Sequence, residues 1–352
     1  MTTAIEVQER VALGPLTTLG VGGAARWFVH APDEATVQSA RGWARERRAE
    51  LRVLGGGSNL VVADEGVDAV VVQIALRGVR TQEVDGAVEL TAAAGEPWDG
   101  VVRAAVERGC AGLECLSGIP GLVGATPIQN VGAYGQEVSD TITAVRALDT
   151  ESGEISTVPA AACGFTYRDS MFKSRQAGRW IVLAVTYRLR PGGAPTTTYA
   201  DVQRQLATKA GARPTLAHVR ETVLAIRRSK SMVLDDPEDP NRHSCGSFFL
   251  NPIVRAVDAE GVTARAGDPT MPRWPQPDGR VKLSAAWLIE RAGFTRGTRA
   301  GAVGLSTQHT LALVAHEGAR ARDVLAFARR VQEAVETRFG VQLTREPVLW
   351  GR

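Results

Sequence analysis

A chain of 352 residues exceeds a single hydrophobic core, so more than one domain is expected, with room for a large internal binding site. Its 44% hydrophobic and 22% charged residues fit a globular protein, and no apolar run is long enough to cross a bilayer. Forty-one basic against 38 acidic residues leave a net charge of only +3, which excludes the one-sided basic field of a nucleic-acid binder and requires any bound anion to be met locally.

Residues 1–10 mix polar and acidic side chains without the basic and apolar regions of a secretory signal, so a cytoplasmic protein is expected. The periodicity then predicts a helix over 34–46, short apolar strands at 51–54, 60–62 and 69–74, and a strand over 88–94. A helix follows over 98–108, with Trp98, Val102, Ala105 and Val106 on one face and Gly109 placed for a left-handed cap. The stretch 112–135 is rich in glycine and poor in charge, as suits a buried loop wrapped around a ligand. Strands are expected at 143–148 and 181–189, and a Gly, Pro and Thr-rich stretch over 191–198 marks a break. Beyond it come a helix over 216–228, a strand at 247–250, a helix over 284–292, a strand at 311–315 and a helix over 322–339. In that last helix Val324, Ala328, Val331 and Val335 recur at helical spacing. The cysteines Cys110, Cys115, Cys163 and Cys245 lack metal-ligand spacing, so reduced thiols and no metal are expected.

Gly55, Gly56, Gly57, Ser58 and Asn59 lie between two predicted strands, where glycines let the backbone approach an anion with several N–H groups. There is no Lys-Ser/Thr pair of a P-loop and no strand-Gly-x-Gly-x-x-Gly-helix unit. Alone, this pentapeptide reads as a glycine-rich turn. A second loop, Ser117-Gly118-Ile119-Pro120-Gly121 continuing to Gly135, shifts the balance, because an ordinary domain has no need of two such loops.

The runs Gly112-Leu113-Glu114, Gly118-Ile119-Pro120-Gly121, Gly124-Ala125 and Gln129-Asn130-Val131-Gly132-Ala133-Tyr134-Gly135 resemble the signature of the MurB family of UDP-N-acetylenolpyruvoylglucosamine reductases. The resemblance continues through Thr18 to Gly23, Gly55 to Leu60, Tyr167-Arg168-Asp169-Ser170, Ile226 to Lys230, Gly246-Ser247-Phe248-Phe249, Asn251-Pro252 and Glu346-Pro347, nearly the whole chain. It implies an α+β, vanillyl-alcohol-oxidase-type (PCMH-type) FAD-binding fold: two α/β subdomains, 1–75 and 76–213, and a substrate-covering α/β domain, 214–352. It further implies reduction of UDP-N-acetylglucosamine enolpyruvate with NADPH and FAD; a monomer is expected, with neither nucleic acid nor membrane as a partner.

By the same resemblance Gly55, Gly56, Gly57, Ser58 and Asn59 hold the FAD diphosphate, and Ile119, Gly124, Thr126 and Gly132 line its adenine and flavin side. No histidine lies in either glycine loop, so FAD is expected to bind without a covalent tether. Reducing an enolpyruvyl double bond builds negative charge beside a carboxylate. That charge needs a bidentate donor, and the carbon needs a proton.

Arg168 offers a planar pair of N–H donors, although taken alone it reads as a structural ion pair with Asp169 or another acid. Ser247 matches the family's proton donor, though by itself it is a serine entering an apolar strand. Glu346, otherwise an ordinary glutamate near a chain end, matches an acid acting on the enolate oxygen. Lys230, beside Arg227 and Arg228, matches a diphosphate or nicotinamide contact, while Tyr134 and Asn251 match contacts to the nucleotide. Tyr199 resembles the tyrosine on the mobile loop of the larger MurB subclass. Leu250 departs from the lysine that many members carry, and 261–278 gives no family signal.

Overall fold

The computed structural model describes residues 5–207 and 213–351, which fall into two compact units. Unit 1 comprises Met1–Val11, Ala25–Gly56 and Asp68–Leu234; unit 2 comprises Ala12–Ala24, Gly57–Val67 and Asp235–Arg352.

In unit 1 the strands Gln8–Ala12, Ala24–Ala31, Val67–Ile74 and Glu50–Leu54 form one sheet in that spatial order, the last pair parallel. The helix Glu34–Glu46 has the predicted bounds. Asp33 caps it by accepting the Thr36 N–H at 2.7 Å, which satisfies one of the donors left over at a helix start. A second, antiparallel sheet runs Ile155–Pro159, Ile142–Asp149, Trp180–Pro191, Ala87–Ala93, Val79–Val84. The helix Trp98–Glu107 buries Trp98, Val101, Val102 and Ala105 in the core of this unit, and Gly109 takes the left-handed conformation (φ 68°) expected beyond its end. Trp98 donates its indole N–H to the Leu116 carbonyl at 3.1 Å and lies 5.6 Å from the Tyr187 ring, so the start of the second glycine loop is tied into the core. The helix Leu216–Arg228 also belongs to unit 1.

Unit 2 is built on the sheet Ser244–Ser247, Ala312–Ala315, Val303–Leu305, Arg299–Ala300, a three-stranded sheet Ile253–Val254, Val281–Leu283, Arg273–Pro275, and the parallel pair Leu60–Val62 with Val348–Trp350. The helix Ala321–Phe339 buries Val324, Ala328, Val331 and Val335, as their spacing requires. Asp64 accepts the N–H groups of Ala321 and Arg322 at 2.8 and 3.1 Å, placing a carboxylate on the positive end of that helix.

Three differences from the sequence reading have physical causes. The strand expected at 247–250 is observed at Ser244–Ser247, because Phe248 and Phe249 are buried at the strand's end and mimic its continuation. The helix Ala256–Ala266 has a glycine at Gly261 and an exposed Val257, which blur its amphipathic stripe. The helix Ala200–Ala207 is short and follows the proline and glycine stretch that reads as a break.

Candidate active site

The two glycine loops meet within unit 1. A side chain on Gly56 would put its Cβ 2.9 Å from Gly121 Cα, and one on Gly55 would reach Leu122. At Gly56 backbone therefore lies directly on backbone, with the Leu122 side chain beside both glycines, a closeness that only glycine permits. The chain then passes from Gly56 in unit 1 to Gly57 in unit 2. Gly57 (φ 62°) is held there by Thr18, whose N–H donates to its carbonyl at 3.2 Å.

Arg168 is anchored on the later part of the second loop. Its guanidinium donates to the carbonyls of Asn130, at 3.2 Å, and Gly132, and lies 3.7 Å from Glu137. The acid beside it is thus Glu137, which also accepts from Asn130 Nδ2 at 2.9 Å. Asn130, Tyr134 and Arg168 all adopt positive φ (44°, 49° and 55°), a conformation that non-glycine residues hold only when their surroundings enforce it. Gly124 fits against Ala94, where a Cβ would approach to 2.7 Å, and Ile119 packs on the unit's core. Thr126 is buried, its hydroxyl bonded to the Val123 carbonyl at 2.8 Å and the Tyr187 phenol at 2.7 Å, so its side chain serves the loop's shape.

Three more predicted residues gather in the same unit. The rings of Tyr134 and Tyr199 meet edge to face with centroids 5.3 Å apart, and Lys230 lies 3.4 Å from Asp201, two residues beyond Tyr199. Burial pushes both phenols above their ordinary range, with Asp201 adding to the rise at Tyr199. Arg227 is 7% exposed; its Nη2 donates to the Met232 carbonyl at 2.6 Å and it bonds the Tyr134 phenol, while its Nε is buried without a hydrogen-bond partner. Burial draws this guanidinium below its usual range.

Sequence reasoning missed the support behind this cluster. Asp99 binds Arg220 through two bonds of 2.7 Å and accepts the Gly118 N–H at 2.6 Å. Burial alone would raise the Asp99 pKa, but these donors outweigh it and hold the carboxyl below its ordinary value. One acid thus serves Arg220 and stands near Arg227.

Unit 2 brings the remaining candidates onto neighbouring backbone segments. Ser247 pairs with Ala312, and the next residue, Phe248, accepts the Glu346 N–H at 3.0 Å. Asn59 reaches the same segment: its side-chain amide donates to the Glu346 carbonyl at 3.4 Å and its own carbonyl accepts from Val348 at 3.0 Å. Ser58 precedes Asn59 in the chain. Asn251 accepts the Ala285 N–H at 2.9 Å, at the start of the helix Ala285–Arg291. Cys245 is buried, and burial followed by the nearby Glu346 charge pushes its thiol up to about 12, so it is no nucleophile at neutral pH. A cavity of about 780 Å³ in unit 2, lined by Trp287, Glu290, Arg291, Thr295, Arg296 and Thr307, carried no sequence signal. Among the described residues no group of His, Cys, Asp and Glu could hold a metal, and no helix is long and apolar enough to cross a membrane.

Residues 25–158 match the family model of an FAD binding domain, a span that holds both glycine loops and bears out the expected FAD-binding fold. Residues 237–350 match the C-terminal domain of UDP-N-acetylenolpyruvoylglucosamine reductase. The chain is 52% identical to the UDP-N-acetylenolpyruvoylglucosamine reductase of Saccharopolyspora erythraea over 96% of its own length and 94% of that protein's. With the enzyme of the same name from Pseudomonas aeruginosa it shares 43% identity, over 99% of this chain and 100% of the other. The crystal structure of MurB from Thermus caldophilus superposes with a TM-score of 0.68 at 27% identity, covering 99% of this chain and 100% of that one. The chain therefore belongs to the MurB family, as an FAD-dependent oxidoreductase that draws on NADPH.

Proposed function

We propose that this chain reduces UDP-N-acetylglucosamine enolpyruvate to UDP-N-acetylmuramate in the synthesis of peptidoglycan precursors. The observation that carries this reading is kinship along nearly the full length with relatives that bear one enzyme's name.

The glycine loops fit FAD. Gly56 abuts the Gly121 backbone, so the two loops come together at glycines that leave main-chain N–H groups unshielded by side chains of their own, which suits a diphosphate. Gly55, Gly56, Gly57, Ser58 and Asn59 hold the diphosphate, and Ile119, Gly124 and Gly132 line the rest of the cofactor, with Thr126 bracing them from the core. Bound FAD supplies a hydride-donating isoalloxazine, attached to the protein without a covalent bond.

The chain's own residues do the remaining work. Arg168 receives the substrate carboxylate and the charge that spreads into it, and its bonds to Asn130 and Gly132 hold it in place beforehand. Ser247 gives its hydroxyl proton to the carbanion-like carbon, a step open to so weak an acid only because that carbon is strongly basic and the geometry is set in advance. Glu346 serves as the acid that acts on the enolate oxygen. Lys230, Tyr134, Tyr199 and Asn251 take the nucleotide, with the Arg227 guanidinium bonded to the Tyr134 phenol.

We further propose that 1–75 and 76–213 act as the two halves of the FAD site and 214–352 as the substrate domain. These are units of function; as a unit of packing, Leu216–Arg228 stays with unit 1. The protein works as a monomer in the cytoplasm. Anaerobic half-reactions test the whole reading: NADPH should bleach the visible absorbance of the flavin and the enolpyruvyl nucleotide should restore it. Restoration by air alone, with no response to the nucleotide, would identify an oxidase instead.

A further inference from the structure

Glu114 is a fully buried carboxylate that the proposed chemistry leaves unused. One oxygen accepts the Gly112 N–H at 2.8 Å; the other accepts the backbone N–H of Thr196 at 2.7 Å and the side-chain amide of Gln136 at 2.9 Å. Gln136 completes the network. Its oxygen accepts the Cys115 N–H at 2.8 Å, and its amide donates again, to the Thr196 hydroxyl, at 3.0 Å. The Cys115 thiol donates to the Thr196 carbonyl at 3.3 Å.

These bonds join segments distant in sequence. Gln136 follows Tyr134 by two residues, and Thr196 precedes Tyr199 by three. Between them the fit is tight, since a Cβ on Gly135 would lie 2.7 Å from the Thr198 hydroxyl. Tyr199 itself is 43% exposed, and the Tyr134 ring is its aromatic neighbour. One edge contact between rings is worth less than the entropy lost in fixing the backbone of the residues that present it. Something stronger must set the course of 196–199. A desolvated carboxylate meets that need, because every N–H withdrawn from it leaves a buried acceptor unmatched.

We propose that Glu114 is a positioning residue: through Gln136 and Thr196 it clasps the segment that carries Tyr199 and so sets the affinity for the anionic sugar nucleotide. This rests on the reading of Tyr199 as a substrate contact.

Glu114→Gln keeps the shape but turns one acceptor into an N–H₂ group facing N–H donors. Expected are unchanged flavin content and flavin reduction by NADPH, a KM for UDP-N-acetylglucosamine enolpyruvate raised about 10-fold, the scale of one buried hydrogen bond, and a nearly constant kcat. Without ligand, amide exchange over 194–200 should quicken while the strand Trp180–Pro191 stays protected. In a Tyr199→Ala background Glu114→Gln should add nothing further to KM, because both act through one contact. Unchanged exchange over 194–200, or an additive rise in KM, overturns the clasp. Should Glu114→Gln not fold, Gln136→Met removes the side-chain arm alone and must show the same signature, smaller; its failure to do so has the same force. If Tyr199→Ala leaves KM unaltered, the substrate reading of Tyr199 falls, and the exchange measurement still decides whether Glu114 holds the segment.

Discussion

The two units hold their candidate site residues by different means. In unit 1 Arg168, Tyr134, Tyr199 and Lys230 are held by other side chains and loop carbonyls: Glu137, Asn130, Arg227, Asp201 and, behind them, Asp99 with Arg220. In unit 2 Ser247 and Glu346 are placed mainly by backbone bonds, the pairing of Ser247 with Ala312 and the bond from Glu346 N–H to Phe248, with one side-chain bond from Asn59 to the Glu346 carbonyl. A residue fixed by a ladder can lose its side chain without moving its neighbours. A residue fixed by a network cannot, so damage in unit 1 should spread and damage in unit 2 should stay local.

Ser247→Ala is the sharpest test of that contrast. Loss of a positioned proton donor should slow flavin reoxidation by the enolpyruvyl nucleotide by about 10²–10⁴-fold, with flavin reduction by NADPH and thermal stability unchanged. Stopped-flow absorbance separates the two half-reactions. Equal loss in both would refute the proton-donor role.

Arg168→Lys should cost less, about 10²–10³-fold in kcat/KM, because charge remains but the paired donors do not. Here the damage should spread. With the Asn130 and Gly132 carbonyls no longer bridged by a guanidinium, the loop that carries positive φ at Asn130 and Tyr134 loses its brace, and flavin affinity should fall as well. Equilibrium dialysis of the flavin checks this; undiminished affinity would show that the loop holds itself.

The contrast also explains what the sequence made legible. The helices Glu34–Glu46 and Leu216–Arg228 stand at their predicted bounds because each has a capping residue just before it and an apolar stripe within. The sequence brackets Asn59 and Glu346 as candidates only through family resemblance, since 287 residues separate two groups that share a hydrogen bond. Side-chain networks were the least legible part. Nothing local marks Asp99 as the partner of Arg220, 121 residues away, or Glu114 as the acceptor for Thr196, 82 residues away. Periodicity reports which face of an element is buried, not which polar group on a distant segment meets it.

Asp99→Asn probes the unit 1 network through its pH dependence. Arg220 and the Gly118 N–H hold the Asp99 carboxyl below its unfolded value despite burial, so its contribution to stability is fully present above that value, about 4, and is lost as pH falls through the lower folded one. The difference in Tm between wild type and Asp99→Asn should therefore be greatest near neutrality and shrink in acid, where protonation removes the same charge. A gap that stays constant down to the acid transition would mean that the carboxyl acts by shape alone.

The smallest expected effect concerns Cys245, two residues before Ser247 in a unit held by its ladder. Burial pushes this thiol and that of Cys115 up to about 12 and that of Cys163 to about 11, and all four cysteines are buried. Iodoacetamide, which reacts with the thiolate, should leave the native protein unlabelled at mildly alkaline pH and label it only after unfolding. Cys245→Ala should leave kcat within about 2-fold, because the Ser247 backbone is set by its pairing with Ala312 and not by the Cys245 sulfur. A loss comparable to that of Ser247→Ala would show that the thiol holds the hydroxyl in place, and that the backbone pairing does not position Ser247 by itself.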